Sequence, residues 1–214
     1  MTQNINRESN VAINTNLKEI ENILFFTHIV NTPKIDSSQD SISLSSIAKT
    51  DFFNAPDDSY TANNAPLLLT KIDNNKPFVL SCKVLPTFKQ KYDAGALFFY
   101  DNNQKWLKLA FELDDSYNKR IVSVKTDQYS DDCNHEKNSN QSIYLKIASD
   151  TKQIGCYYSQ DSKEWVMIRL FKNNFSPIPF IGLSTQSPTG DGNKTIFSEI
   201  LLTYENLNDF RLGI

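Results

Sequence analysis

Two alternating runs carry most of the side chains in this sequence that could do chemistry. In Trp106-Leu-Lys-Leu-Ala-Phe-Glu-Leu113, large apolar residues fall on every second position, with Trp106, Lys108, Ala110 and Glu112 between them. Side chains alternate across a strand. Leu107, Leu109, Phe111 and Leu113 therefore turn to a core, and Trp106, Lys108 and Glu112 share the opposite face. An indole beside an ammonium and a carboxylate suits a polar ligand: the ring offers an apolar platform and the charges fix hydroxyl or anionic groups. The run from Glu164 to Lys172 divides similarly, with Val166, Ile168 and Leu170 inward and Trp165, Met167, Arg169 and Phe171 outward. From Ser142 to Ala148, Ile143, Leu145 and Ile147 point inward, leaving Tyr144 and Lys146 outside; Lys125 shares a face with Ser123 and Ile121. One reading of these faces is a solvated sheet surface, with Lys and Arg stems lying over apolar atoms. The other is that the strands are neighbours and line one groove.

Arrangements for catalysis are thinner. Glu112-Leu-Asp114 puts the Cα atoms of two carboxylate residues about 6.6 Å apart along a strand, but Asp114-Asp-Ser116 reads as a turn capped by its own Asx side chains. Glu112 is expected to pair with Lys108 or Arg169, which offsets the cost of a charge in mid-sheet. Neither His28 nor His135 lies near a nucleophile elbow or a reactive-looking Cys. A metal at Cys133 and His135 would need distant partners, and Asp127, Asp131 and Asp132 form no dedicated calcium motif. No catalytic residue, metal ligand or cofactor is assigned.

These side chains must be held by many short elements. Ser41-Ile-Ser-Leu-Ser45 alternates strictly; Pro77 to Pro86, Ala94 to Tyr100 and Trp106 to Leu113 follow, separated by Asn/Asp turns. Further runs span 121–126, 142–148, 153–159, 164–172, 178–185 and 195–204. Roughly ten to thirteen strands with Asx and Ser turns predict an all-β sandwich or barrel. Residues 1–20 read as a flexible polar tail, with a short helix conceivable at 16–21, and 21–214 as the folded part. The stretch 127–140 reads as a long polar loop.

The 214 residues suit one large domain or two small ones, and a net charge of −3 argues against nucleic acid or an anionic membrane as the main partner. The start has no basic region followed by an apolar one, and no apolar run approaches a membrane span. Cys82, Cys133 and Cys156 are odd in number and widely spaced, which speaks against a disulfide framework. A cytoplasmic protein is expected.

Several of these runs come in a familiar order. Tyr92-Asp93-Ala-Gly-Ala-Leu97, Trp106-Leu-Lys-Leu-Ala-Phe-Glu112, Ser123-Val-Lys-Thr126 with Tyr129-Ser-Asp131, Tyr158-Ser-Gln-Asp161 leading to Trp165 and Arg169, and Gly182-Leu-Ser-Thr-Gln-Ser-Pro188 resemble the family named for regulation of enolase protein 1. The resemblance covers roughly residues 23–205 and implies a single domain, a concanavalin A-like jelly-roll sandwich of two antiparallel sheets. The sequence departs from the family pattern at Ala94-Gly95-Ala96, where Gln-Ala-Gly is usual, at Asp132, where an aromatic is usual, and at Ser162, where a turn glycine is usual. Glucanases of that superfamily need a further carboxylate where this chain has Ser116.

Together these readings favour a non-catalytic binding or regulatory protein linked to carbohydrate metabolism. Its groove would take a sugar or sugar-like, anionic metabolite through Asp93, Trp106, Lys108, Glu112, Lys125, Tyr144, Lys146, Trp165 and Arg169. The alternatives are a regulator that binds a glycolytic enzyme, with enolase the candidate from the resemblance, and last a glycosidase-like enzyme.

Overall fold

The computed structural model describes residues 11–14 and 23–214, with side chains from Phe26 onward. Every regular element among them is a strand. They are β1 (Val11–Asn14), β2 (Ile23–Phe26), β3 (His28–Val30), β4 (Lys34–Ser37), β5 (Ser41–Ser45) and β6 (Phe52–Asn54). Next come β7 (Thr61–Asn63), β8 (Leu67–Lys71), β9 (Phe78–Pro86), β10 (Ala94–Asn102), β11 (Lys105–Leu113) and β12 (Lys119–Asp127). The last six are β13 (Tyr129–Lys137), β14 (Ile143–Ser149), β15 (Gln153–Ser159), β16 (Val166–Lys172), β17 (Phe180–Gln186) and β18 (Lys194–Thr203).

Two seven-stranded sheets make the body, in the orders β13-β12-β11-β10-β17-β8-β3 and β16-β15-β14-β9-β18-β5-β4. All pairings are antiparallel, and chain-distant neighbours such as β10 with β17 and β9 with β18 weave the chain between the layers. This is a jelly-roll sandwich forming one domain. The turns between sequential strands use the expected chemistry. Asp114 Oδ1 accepts the Ser116 and Asn118 amides at the β11–β12 turn, and Asp150 Oδ1 accepts Lys152 and Gln153 at β14–β15.

Alternation places the core between the sheets. Leu97, Phe99, Leu107, Leu109, Phe111 and Leu183 from the first sheet meet Leu80, Cys82, Leu145, Ile147, Cys156 and Phe197 from the second. Gly182 on β17 is held to glycine by close approach: a Cβ there would lie 2.0 Å from the Leu68 carbonyl oxygen of β8. The outer face of the first sheet carries a second apolar cluster, because the β6–β7 hairpin lies over it. The Phe52 ring meets Phe98, Tyr100 and Trp106 at centroid distances of 5.3, 6.2 and 5.7 Å. The outer face of the second sheet is covered at one end by the segment after β18. There Leu207 and Phe210, with Trp165 and Met167, pack on Val79, Ala148 and Tyr157, and Tyr157 donates to the Phe210 carbonyl at 2.6 Å.

Three expectations change. The stretch 127–140 contains an edge strand, β13, rather than a loop; polar and charged residues suit an edge, where one side of the ladder faces water. An extra residue on β16, opposite the Cys156–Tyr157 step of β15, breaks the alternation: Ile168 packs against the central core as expected, but so does Phe171, expected outside, and Val166, expected inside, is 44% exposed. Arg169 accordingly reaches between the sheets, donating to the Ser123 and Asp131 carbonyls and ion-pairing with Asp131, instead of facing outward. Of the segment read as a tail, residues 1–10 and 15–20 lie outside the described residues, as does the whole stretch 16–21 read as a short helix; Val11–Asn14 pairs with β2.

Candidate ligand pocket

A pocket of about 340 Å³ opens in the outer face of the first sheet, beside the β6–β7 hairpin. Its polar floor is set by register. Glu112 on β11 and Gln186 on β17 both lie opposite Ala94 of β10, and that small residue lets the carboxyl and carboxamide meet across it, Nε2 to Oε2 at 3.4 Å. Lys108, two pleats along β11, lies opposite Val124, which in turn lies opposite Asp132 of β13. Asp51 and Phe53 come from the segment over the sheet, Tyr92 from the β9–β10 loop, and Asp114 and Asp115 from the β11–β12 turn.

Lys108 is 3% exposed, and three acceptors surround its ammonium: the Phe52 carbonyl and Gln186 Oε1 at 3.0 Å and Asp51 Oδ1 at 3.4 Å. An ammonium has three hydrogens to give, so this one is used within the protein, tying hairpin to sheet. Burial pushes the Glu112 carboxyl up to about 8; Lys108 opposes the shift, and Asp51, Asp132 and Asp114 reinforce it. Asp132 is also raised, first by burial, with Lys108 pulling the other way. Asp114 stays below its ordinary value. Burial would raise it, but bonds from Asn118, Arg120 and Ser116 prevail, and Arg120 sits 3.0 Å away. The pocket therefore holds five carboxyl groups around one lysine that is already paired.

That charge balance corrects the expected cation-rich groove. Of the anticipated residues, only Lys108 and Glu112 line this pocket. Trp106 is fully buried beneath Phe52, its indole N–H bonded to the Asn103 carbonyl at 3.3 Å. Asp93 is buried in the β9–β10 loop, where its carboxylate accepts the Lys89 and Gln90 amides and the Ser187 hydroxyl. Lys125 faces between the sheets, over the Phe171 ring. Tyr144 and Lys146 belong to the second sheet and Trp165 just precedes its strand β16, with Tyr144 bonded to Glu199 and Lys146 held 3.6 Å from the Trp165 centroid, donating to Gly213. Arg169 does not reach Glu112, because Asp131 holds it. Cys133 and His135 sit on β13, where His135 shares a hydrogen bond with Ser123. Among the described residues no group of three His, Cys, Asp or Glu side chains could hold a metal ion.

The residues missed as pocket lining include Asp51, Phe53, Asp132, Asn134 and Gln186. A signal for two of them was present: Gln186 lies within the Gly182–Pro188 motif, and Asp132 is where the sequence departs from the resembled pattern.

The fold defines a class: single-domain jelly-roll sandwiches of two antiparallel sheets, here with a polar pocket on one outer face. Within it, the chain belongs to the family described as protein of unknown function (DUF1349), which matches residues 29–204. It is 24% identical over 176 residues to "Regulation of enolase protein 1" of Saccharomyces cerevisiae, covering 81% of this chain and 87% of that protein. A crystal structure of a functionally unknown protein from Saccharomyces cerevisiae superimposes with a TM-score of 0.76 at 23% identity, over 83% of this chain and 95% of that one. A GH43 protein, BlXynB from Bacillus licheniformis, matches with a TM-score of 0.59 at 10% identity, over 83% of this chain but 39% of its own. At these identities the structural likenesses establish the fold.

Proposed function

We propose that the protein is a non-catalytic, cytoplasmic binding module whose outer-face pocket takes a small polyhydroxylated, sugar-like molecule. The carrying observation is the preset floor of Lys108, Gln186 and Glu112, positioned before any ligand arrives and flanked by Phe53 and Tyr92. Carboxyl and carboxamide groups accept from and donate to hydroxyls, rings cover apolar sugar faces, and about 340 Å³ lies at the low end of the roughly 300–1,000 Å³ usual for ligand sites. The free, buried thiols of Cys82 and Cys156 suit a reducing compartment.

The test is thermal unfolding with a panel of neutral and amino monosaccharides at millimolar concentration. At least one is expected to raise Tm by a few degrees, and Asp132→Ala, on the exposed edge strand, is expected to lose that shift while keeping its own unliganded Tm. A panel with no shift at all removes the reading. One finding favours a second reading, docking on enolase: the name of the yeast relative. Co-elution with purified enolase at micromolar concentration would support it, and independent elution would end it.

A further inference from the structure

The carboxyl groups of the pocket are not equally provided for. Asp51 faces Lys108 at 3.4 Å and Asp114 faces Arg120 at 3.0 Å. Asp115 sits on the exposed turn, accepting the Ser116 hydroxyl at 3.2 Å. Glu112 and Asp132 have no ion-pair partner among the described residues, although both line the cavity and Glu112 is only 8% exposed. Glu112 Oε2 has one long hydrogen bond, 3.4 Å from Gln186 Nε2, and its Oε1 accepts none among the described residues. The cations that face them are committed elsewhere: Lys108 to Asp51, Phe52 and Gln186, Arg120 to Asp114, and Arg169, from β16, to Asp131.

We infer that the ligand of this pocket carries a protonated amine alongside its hydroxyls, seated against Glu112 with Asp132 across the pocket adding to the attraction. The inference rests on the reading of the pocket as a small-molecule site and narrows its ligand class. A neutral polyol would leave the Glu112 carboxyl in its protonated form and gain nothing from the surrounding negative field. An ammonium group supplies the missing partner for Glu112, and Asp132, across the pocket on β13, adds to the attraction in surroundings shielded enough for it to count. A metal ion fits less well, because the donors do not converge as a metal cluster. Binding is then linked to protons: the ammonium lowers the affinity of Glu112 for its proton, which leaves to solvent as the amine enters. Asp51, Asp114, Asp115 and Tyr92 around the pocket add negative charge or hydroxyl acceptors, and none competes as a cation.

The probes are N-methylglucamine, a polyol amine that stays protonated near neutral pH, and sorbitol, its uncharged counterpart. Titration calorimetry at pH 7.5 in two buffers of different ionisation heat reads both affinity and proton release. The amine is expected to bind at least ~10-fold tighter than sorbitol, to release between about half a proton and one per site, and to weaken ~10-fold or more from pH 8 to pH 6. Glu112→Gln is expected to lose both the preference and the proton release; its Tm shows whether it folds, and Asp132→Asn, at the exposed edge, gives an independent check on the preference. Equal binding of the two polyols overturns the amine assignment and leaves the pocket reading standing. An amine preference untouched in both variants overturns the seating against these carboxyls. If neither polyol nor any member of the sugar panel binds, the pocket reading fails, and this inference with it.

Discussion

Glu112 occupies mid-strand with its carboxyl almost covered, and its titration makes the position a burden above neutral pH. Its ordinary value is 4.5 and its folded value about 8. Between the two, the folded state keeps a proton that the unfolded state has released. The contribution to stability is therefore full below about 4.5 and is lost as pH rises through about 8. Glu112→Gln keeps the shape and removes the titration. Relative to the native protein, the variant should gain on the order of 2–4 kcal/mol between pH 4.5 and pH 9, read from urea midpoints at each pH. A gap that stays constant with pH would show that Glu112 is not held in its neutral form. The placement of this residue was legible in the sequence, because strict alternation through Trp106–Leu113 leaves no other face for it. Its neighbours were not. Asp51 and Gln186 meet Lys108 from 57 and 78 positions away, and no local pattern carries that information.

Elements were legible where one face is buried and illegible where none is. The strands around the core show apolar alternation, and their turns carry Asp114 or Asp150 where an Asx acceptor is required. β13 is an edge strand without an apolar face, so it read as loop although it supplies Asp132 and Asn134 to the pocket. On β16 the register irregularity turns Arg169 and Phe171 inward against the alternation while Ile168 stays inward, and periodicity cannot foresee an extra residue. The segment after β18 is a third case, since its docking depends on one glycine. Gly213 adopts φ +71, a Cβ there would lie 2.9 Å from Tyr157 Cδ1 and 3.0 Å from Trp165 Cβ, and its carbonyl accepts from Lys146 at 2.7 Å. Gly213→Ala is expected to destabilise by about 1–3 kcal/mol through strain and contact together. Denaturant midpoints check this, and an unchanged midpoint would mean the segment does not depend on docking there. Lys146 should report the same event. Burial brings its ammonium down to about 8, and release of the segment should return it toward its ordinary range, readable by NMR titration of the lysine methylene adjacent to the amine.

For the whole molecule, the class of fold was legible because turn chemistry and alternation repeat along the chain, but the order of strands was not. Antiparallel neighbours such as β10 with β17 join distant segments, and that order decides which faces coincide. It separates the residues the sequence suggested as one groove: Trp106, Lys108 and Glu112 on one sheet, Tyr144, Lys146 and Trp165 on the other. The same separation makes the two tryptophans a test of unity. Trp106 lies in the apolar cluster beneath the β6–β7 hairpin, and Trp165 packs on the opposite outer surface beneath the C-terminal segment. One central core joins the sheets between them, with buried side chains drawn from both, so loss of either sheet exposes the inner face of the other. Unfolding should therefore be a single cooperative transition. In Trp106→Phe, fluorescence reports Trp165 alone; in Trp165→Phe, it reports Trp106 alone. Each variant shifts its own stability, so the comparison is made within each: the fluorescence midpoint in urea should coincide with that variant's far-ultraviolet circular dichroism midpoint. Coincidence in both means the two outer surfaces are held by one core. An earlier fluorescence change in Trp165 alone would make the covering of the second sheet a separate unit, and an earlier change in Trp106 alone would do the same for the hairpin that roofs the pocket.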